Sequence, residues 1–180
     1  MEHLIATSAS TNQPDRWRSK IEPLNAVEEQ QIADQVSHYP QPQAATIEAL
    51  KIVQQQQGWV SDGKLKAIAE RLNMSPDQVD SVATFYNKIY RRPVGNTVIT
   101  LCDSISCWIM GYEGLREAIC RELQISLGQT TSDQQITLLP TPCLGACNRA
   151  PAVMVGEELH GPVSAEQLIR LAQQAKEAQS

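Results

Sequence analysis

The sequence has few aromatic and few basic residues, and it has no long apolar run. Aromatic side chains make up 4% of its 180 residues, with a single phenylalanine, so aliphatic side chains must fill the core. The 15 basic residues are outnumbered by 20 acidic ones, which disfavours a nucleic-acid binder because that function needs a basic face. No apolar run approaches the roughly 20 residues of a membrane-spanning helix. The length allows one ordinary domain or two small ones.

Cysteine is absent from the first half of the chain, and all five cysteines lie between positions 102 and 147. The first twenty residues lack a basic stretch followed by an apolar one, so the sequence predicts no secretory signal. A reducing cytosol keeps thiols free, and clustered cysteines there bind metal or do redox work more often than they form disulfides.

The cysteine-free half has the sequence pattern of a helical domain. Residues 1–24 are polar and are predicted to form a mobile leader. Asn25 and Glu28 make a capping-box pattern for a first helix, and Gly58 is a suitable residue to end the second. Ser75 as N-cap opens the fourth helix, whose predicted apolar stripe reaches Tyr90. We therefore predict a four-helix bundle over 25–92, with helices at about 25–38, 44–56, 62–72 and 75–90.

The second half, 93–180, alternates strand and helix patterns. The β-branched stretch 97–102 predicts a strand, 111–123 a helix, and 136–139 a second strand. Two short segments around Gly156 predict a hairpin, and Ser164 with Gln167 predicts the cap of a last helix. The fold class is therefore α+β, a helical bundle followed by an α/β domain with the order β-α-β-β-α.

Four of the cysteines form two pairs, each following a predicted strand. The pairs are Cys102 with Cys107 and Cys143 with Cys147. Loops at the ends of neighbouring strands would bring four thiolates together, as a 2Fe–2S cluster or a structural zinc requires. Disulfides and simple packing remain as minor alternatives. Cys120 lies mid-helix and is predicted to be a half-buried packing residue.

The spacing and the loop residues favour the two-iron cluster over zinc. Zinc ribbons mostly use two intervening residues, whereas these pairs enclose four and three. Gly145 can adopt a positive φ and let the backbone approach a sulfur. Asp103, Ser104 and Ser106 offer N–H and hydroxyl groups that can point at sulfur and tune a cluster.

The sequence contains no other recognisable catalytic or nucleotide-binding motif. It has no glycine-rich nucleotide loop and no Walker sequence, and its histidines at 3, 38 and 160 are scattered. A cluster protein of this kind would pass electrons to a partner, and the helical half is the natural docking part.

Several motifs in order resemble one known family. They are Gly58-Trp59-Val60-Ser61, Val82-Ala83-Thr84-Phe85-Tyr86, Pro93-Val94-Gly95, the two cysteine pairs and Ala150-Pro151. This set, spread over residues 25–178, is similar to the 24 kDa subunit family of NADH:quinone oxidoreductase, respiratory complex I.

The resemblance implies a thioredoxin-like ferredoxin domain in the second half. It implies one 2Fe–2S cluster held by Cys102, Cys107, Cys143 and Cys147, with Cys120 outside the motif. The chain would be an electron-transfer subunit without a complete active site of its own. Its implied partners are the subunit that binds FMN and NADH and the adjacent large iron–sulfur subunit. The implied location is cytoplasmic, in the peripheral arm of a complex at the inner membrane, without insertion of this chain.

Two alternatives stay open at this point. The same module occurs in soluble NAD-linked hydrogenases and formate dehydrogenases, and one chain does not separate these from complex I. A zinc-stabilised interaction module without a redox role is the alternative from a different class.

Overall fold

The computed structural model describes residues 17 and 19–178. The chain divides into two compact units, Met1–Arg91 and Arg92–Ser180. Within the described ranges, no helix is long and apolar enough to cross a membrane.

The first unit is helical and has one apolar core. Its helices are α1 (Ala26–Ser37), α2 (Thr46–Gln57), α3 (Asp62–Arg71) and α4 (Pro76–Phe85), and a 3-10 turn at Pro42–Ala45 precedes α2. Aliphatic side chains from all four helices fill this core, which agrees with the scarcity of aromatic residues. Its largest fully buried members are Ile32, Leu50, Leu65, Ile68 and Leu72.

The predicted helix ends in this unit are largely confirmed. The Asn25 side chain accepts from the amides of Val27 and Glu28, and Glu28 completes the capping box. Ser75 and Gln78 form the same arrangement at the start of α4. Gly58 ends α2 with φ 78°, a left-handed conformation that glycine adopts without steric cost.

The predicted end of the fourth helix was wrong. Helix α4 stops at Phe85, because the backbone of Tyr86 turns to an extended conformation. Tyr86 is therefore exposed rather than part of the buried stripe, and its ring contacts Phe85 edge to face with centroids 5.2 Å apart. Ile89 still reaches the core, but from the turn that follows the helix.

Two buried lysines of α3 bind the segment that precedes α1. Lys64 Nζ donates to Glu28 Oε2 at 2.6 Å and to the Pro23 carbonyl at 2.8 Å. Lys66 Nζ donates to the carbonyls of Trp17 and Ser19. These carbonyl groups lie in the stretch 1–24 that the sequence predicts to be a mobile leader. Residues 1–16 and 18 of that stretch lie outside the described residues.

The second unit is built on a four-stranded sheet. Its strands are β1 (Thr97–Cys102), β2 (Ile136–Thr141), β3 (Val153–Val155) and β4 (Glu158–His160), in the order β2-β1-β3-β4. Strands β1 and β2 are parallel, while β3 pairs antiparallel with β1 and β4. Its helices are α5 (Ile105–Ile109), α6 (Tyr112–Leu123) and α7 (Ala165–Glu177).

Helices α6 and α7 pack with the sheet in a second aliphatic core. Ile99 of β1 and Leu138 of β2 are fully buried there against Ile119 of α6 and Leu168 of α7. The predicted strands, the hairpin and the two longer helices are all present, but the predicted order β-α-β-β-α counted one strand too few, since the hairpin contributes both β3 and β4 after β2. Helix α5, which was not predicted, interrupts the loop that follows β1.

Candidate metal centre

The two cysteine pairs meet because β1 and β2 run parallel and end together. Cys102, the last residue of β1, is in register with Thr141, the last residue of β2. Cys143 follows two residues later. The prediction that both pairs lie wholly on loops needs correction. Cys107 belongs to α5, and Cys147 begins a 3-10 turn that ends at Arg149.

The four sulfur atoms form two close pairs that interact with each other. Cys143 Sγ and Cys147 Sγ are 3.4 Å apart. Cys102 and Cys147 both raise the pKa of Cys107, and Cys102 raises the pKa of Cys147, because negative charges on neighbouring sulfur atoms repel each other. Among the described residues, no three His, Cys, Asp or Glu side chains converge as ligands of a single ion would. The arrangement is that of two adjoining pairs.

The two pairs differ in their environment. Cys102 and Cys107 are buried in a small apolar cluster with Ala146, Ala150 and Ala152. Cys143 and Cys147 are exposed. One side of the centre is therefore shielded from water, and the other side is open to an approaching molecule.

A backbone donor reaches the sulfur atoms from the second loop. The Gly145 N–H donates to Cys143 Sγ at 3.3 Å, and Gly145 has the predicted positive φ, 77°. Ser104 and Ser106 are half-buried between the cysteines of the first pair. The expectation that their hydroxyl groups point at sulfur stays a prediction.

These surroundings shift the thiol pKa values in different directions. Burial raises the pKa of Cys107, and the neighbouring Cys102 raises it further. The Gly145 N–H holds the pKa of Cys143 below its usual value, because it stabilises the thiolate. The pKa of Cys147 is raised, because its thiol donates to the Cys143 sulfur and faces that sulfur's negative charge. Four thiols in two adjoining pairs, with the Gly145 N–H directed at Cys143, fit the ligand set of a 2Fe–2S cluster.

Cys120 is placed elsewhere. It lies on α6, is half-buried and packs against the core of the second unit, as predicted. The structure thus separates the four paired cysteines from the fifth.

An exposed apolar surface beside the centre was missed from the sequence. Helix α5, which carries Cys107, and the residue that follows it present Ile105, Trp108, Ile109 and Met110, each between 55% and 69% exposed. The run of apolar residues around Cys107 could have revealed this surface. Apolar side chains in a connecting segment are not buried in the domain core, so such a run indicates an exposed apolar surface. We call these four side chains the α5 patch.

The sheet, its helices and the two cysteine pairs at its edge together define a class of protein. It is the class of thioredoxin-like 2Fe-2S ferredoxins, whose family model matches residues 32–176. The chain belongs to this family, and within it to the family of the E-type subunit of NADH-quinone oxidoreductase.

That narrower assignment rests on curated relatives. The E-type subunit of NADH-quinone oxidoreductase from Escherichia coli K12 is 47% identical over 153 residues, which is 85% of this chain and 92% of that protein. The protein of the same name from Pseudomonas aeruginosa PAO1 is 47% identical over 148 residues, 82% of this chain and 89% of that one.

A solved structure shares the fold at lower identity. An NAD+-reducing NiFe-hydrogenase in its H2-reduced state matches with a TM-score of 0.63 and 21% identity. The match covers 76% of this chain but only 22% of the hydrogenase chain. At this identity the likeness shows the fold alone.

Proposed function

We propose that this chain serves as the E-type subunit of an NADH-quinone oxidoreductase, in which it holds one 2Fe–2S cluster and transfers electrons. Cys102 and Cys107 would hold one iron, and Cys143 and Cys147 the other. The observation that carries the proposal is the meeting of two cysteine pairs where the parallel strands β1 and β2 end, with the Gly145 N–H directed at the Cys143 sulfur.

The donor set supports a two-iron cluster more than the zinc alternative. A structural zinc is enclosed by four ligands around one point. Here the sulfurs are grouped in two pairs of unequal burial, and hydrogen bonds to sulfur are what iron–sulfur sites use to hold charge. When bound, the cluster supplies one-electron redox chemistry, which the hydroxyl and amide groups around it do not provide.

The surrounding residues would orient and protect that centre. The alanines around Cys102 and Cys107 exclude water from the inner pair. The exposed Cys143 and Cys147 leave the outer side accessible to an electron donor or acceptor. The shape of the site therefore suits exchange of electrons with another protein across the outer pair.

The α5 patch is the proposed contact for the subunit that binds FMN and NADH. It lies on the helix that carries Cys107, so a partner seated on it would come close to the centre. Exposed Trp and Met are enriched in protein interfaces, and a single Trp often dominates the binding energy. Further proposed features are contact with the large iron–sulfur subunit and a location on the cytoplasmic side, in the peripheral arm.

We expect Trp108→Ala to weaken binding of the flavin-binding subunit by about 2 kcal/mol, roughly 30-fold, because Trp108 is the largest exposed side chain of the α5 patch. Isothermal titration of the full-length chain with the purified partner measures this. Leu159→Ala, which truncates an exposed leucine of β4, is the matched control and should leave the affinity unchanged. Equal affinities for the wild type and Trp108→Ala would remove the patch from the interface.

The helical unit is proposed to act as a four-helix bundle that docks onto the complex, with residues 25–92 as one domain and 93–180 as the cluster domain. Phe85, the chain's only phenylalanine, is 80% exposed, and its ring contacts the exposed Tyr86. Two exposed aromatic rings side by side support a docking role, because aromatic residues are enriched in protein interfaces. Phe85→Ala should lower incorporation into the complex while leaving the iron content of the chain unchanged. Normal incorporation of Phe85→Ala would exclude this contact.

Isolation of the native complex through a tag on this chain tests the proposed function. Flavin- and quinone-linked subunits should co-purify, and NADH added without oxygen should reduce a 2Fe–2S centre in this chain. A nickel–iron subunit in their place would favour the hydrogenase alternative. If the partner subunits co-purify but this chain contains no iron, electron transfer by this subunit is contradicted.

A further inference from the structure

We infer that Gly145 is a positioning residue that raises the reduction potential of the centre, because its left-handed backbone directs its N–H at the Cys143 sulfur. This inference rests on the proposed cluster and extends it to a residue of this chain that is not a ligand.

The first observation is the hydrogen bond that the Gly145 main chain makes. Its N–H donates to Cys143 Sγ at 3.3 Å, inside the segment that separates Cys143 from Cys147. The donor belongs to the backbone, so no side-chain rotation withdraws it from the sulfur. The local backbone conformation alone therefore decides whether this hydrogen bond forms.

The second observation is the reason why position 145 requires glycine. No atom lies within 4 Å of the place that a Cβ atom on Gly145 would occupy, so a side chain would have room there. The φ of 77°, however, lies in the left-handed region, which residues with a Cβ rarely adopt and β-branched residues adopt least of all. The requirement for glycine is therefore one of backbone conformation, and that conformation is the one that aims the N–H at sulfur.

The direction of the effect follows from charge. Reduction adds one negative charge, which is shared by iron and the sulfur ligands. An N–H donor at a ligand sulfur stabilises the more negative state more strongly than the less negative one. The Gly145 N–H therefore favours the reduced state, and its removal should lower the potential.

The test is a potentiometric titration of the full-length protein with its cluster, followed by EPR. Dithionite adds one electron to the oxidised centre, and no bond of the protein forms or breaks. We expect Gly145→Val to lower the equilibrium constant for reduction about tenfold, which is about 59 mV for a one-electron couple. The β-branched side chain drives the backbone out of the left-handed region and turns the N–H away from Cys143. Gly145→Asn should stay near the wild-type potential, because asparagine tolerates this region.

A second glycine provides the control for backbone strain. Gly156, in the turn between β3 and β4, has φ 59° and also has no atom within 4 Å of its Cβ position. Its N–H donates to the carbonyl of Val98, near the start of β1, whereas Cys102 ends that strand. Gly156→Val therefore introduces the same kind of strain without touching a sulfur, and it should leave the potential unchanged.

Glycolic acid in place of Gly145, introduced by cell-free translation, removes the donor without adding a side chain. The N–H becomes an ester oxygen, so the potential should fall as it does in Gly145→Val. A wild-type potential in the glycolic acid form with two irons bound, or equal potentials for Gly145→Asn and Gly145→Val, would overturn the inference.

Loss of iron separates the remaining outcomes. If either the valine or the glycolic acid form loses its iron, the other form decides. Loss of iron from both would overturn the inference, since Gly145 would then be needed to bind iron rather than to set the potential. A wild-type protein without iron and sulfide would instead overturn the proposed function.

Discussion

Cys107→Ser should reduce the iron content from about two atoms per chain to well below one and remove the EPR signal of the reduced protein. Cluster iron prefers thiolate, and a serine hydroxyl does not ionise readily in an apolar cluster. Cys107 is only 2% exposed, so solvent has little access to replace the lost ligand. Cys143→Ser should have the same outcome. Iron and sulfide analysis of the purified variants, together with EPR, measures the effect.

Cys120→Ser is the matched control for these variants. Cys120 packs against the core of the second unit with α6, away from the apolar cluster that holds Cys102 and Cys107. Its substitution should preserve the iron content and the EPR signal. Loss of the signal in Cys120→Ser, or its survival in Cys107→Ser, would mean that the ligands are assigned wrongly.

Lys64→Met should destabilise the protein by about 3–5 kcal/mol, the usual cost of removing one partner from a buried ion pair. Lys64 is the partner of Glu28, which is fully buried. Glu28 Oε1 already lacks a hydrogen-bond partner among the described residues. Without Lys64 the carboxylate would be buried with the Asn25 amide as its remaining donor, and the Pro23 carbonyl would lose its donor too. Urea unfolding followed by circular dichroism measures the change.

An exposed ion pair in the same unit provides the control. Lys51 and Glu48 are 3.1 Å apart on α2, and their side chains are 49% and 35% exposed. Lys51→Met should cost less than about 1 kcal/mol, because water screens such a pair. The double variant Glu28→Leu/Lys64→Met should recover part of the lost stability, since no buried charge is then left unpaired. Equal costs for Lys64→Met and Lys51→Met would contradict this account of the pair.

Helix starts could be predicted because their signals are local. The pairs Asn25 with Glu28, Ser75 with Gln78 and Ser164 with Gln167 all form the capping boxes that the sequence indicates. These contacts span three residues and depend on little else. Helix α5 was missed because five residues fall below the length at which helical periodicity can be recognised.

The buried lysines could not be predicted from sequence. Lysine is almost never fully buried unless it is paired, and the partners of Lys64 lie 36 and 41 positions away. The end of α4 was misjudged for a related reason. Ile89 is buried as its periodicity suggested, but it reaches the core from a turn rather than from a continuing helix.

The candidate site was only partly visible in the sequence. Cysteine spacing was enough to single out the four thiols and to set Cys120 apart. The meeting of the two cysteine pairs depends on the parallel register of β1 and β2, in which Cys102 lies opposite Thr141. That register is a tertiary feature, which the two strand patterns could suggest but not establish.

The most direct test of the central claim is metal and sulfide analysis of the wild-type chain, with EPR after reduction by dithionite. We predict a brown protein with about two irons and two acid-labile sulfides, and a signal from one unpaired electron per chain. A colourless protein that contains one zinc and no sulfide would contradict the claim.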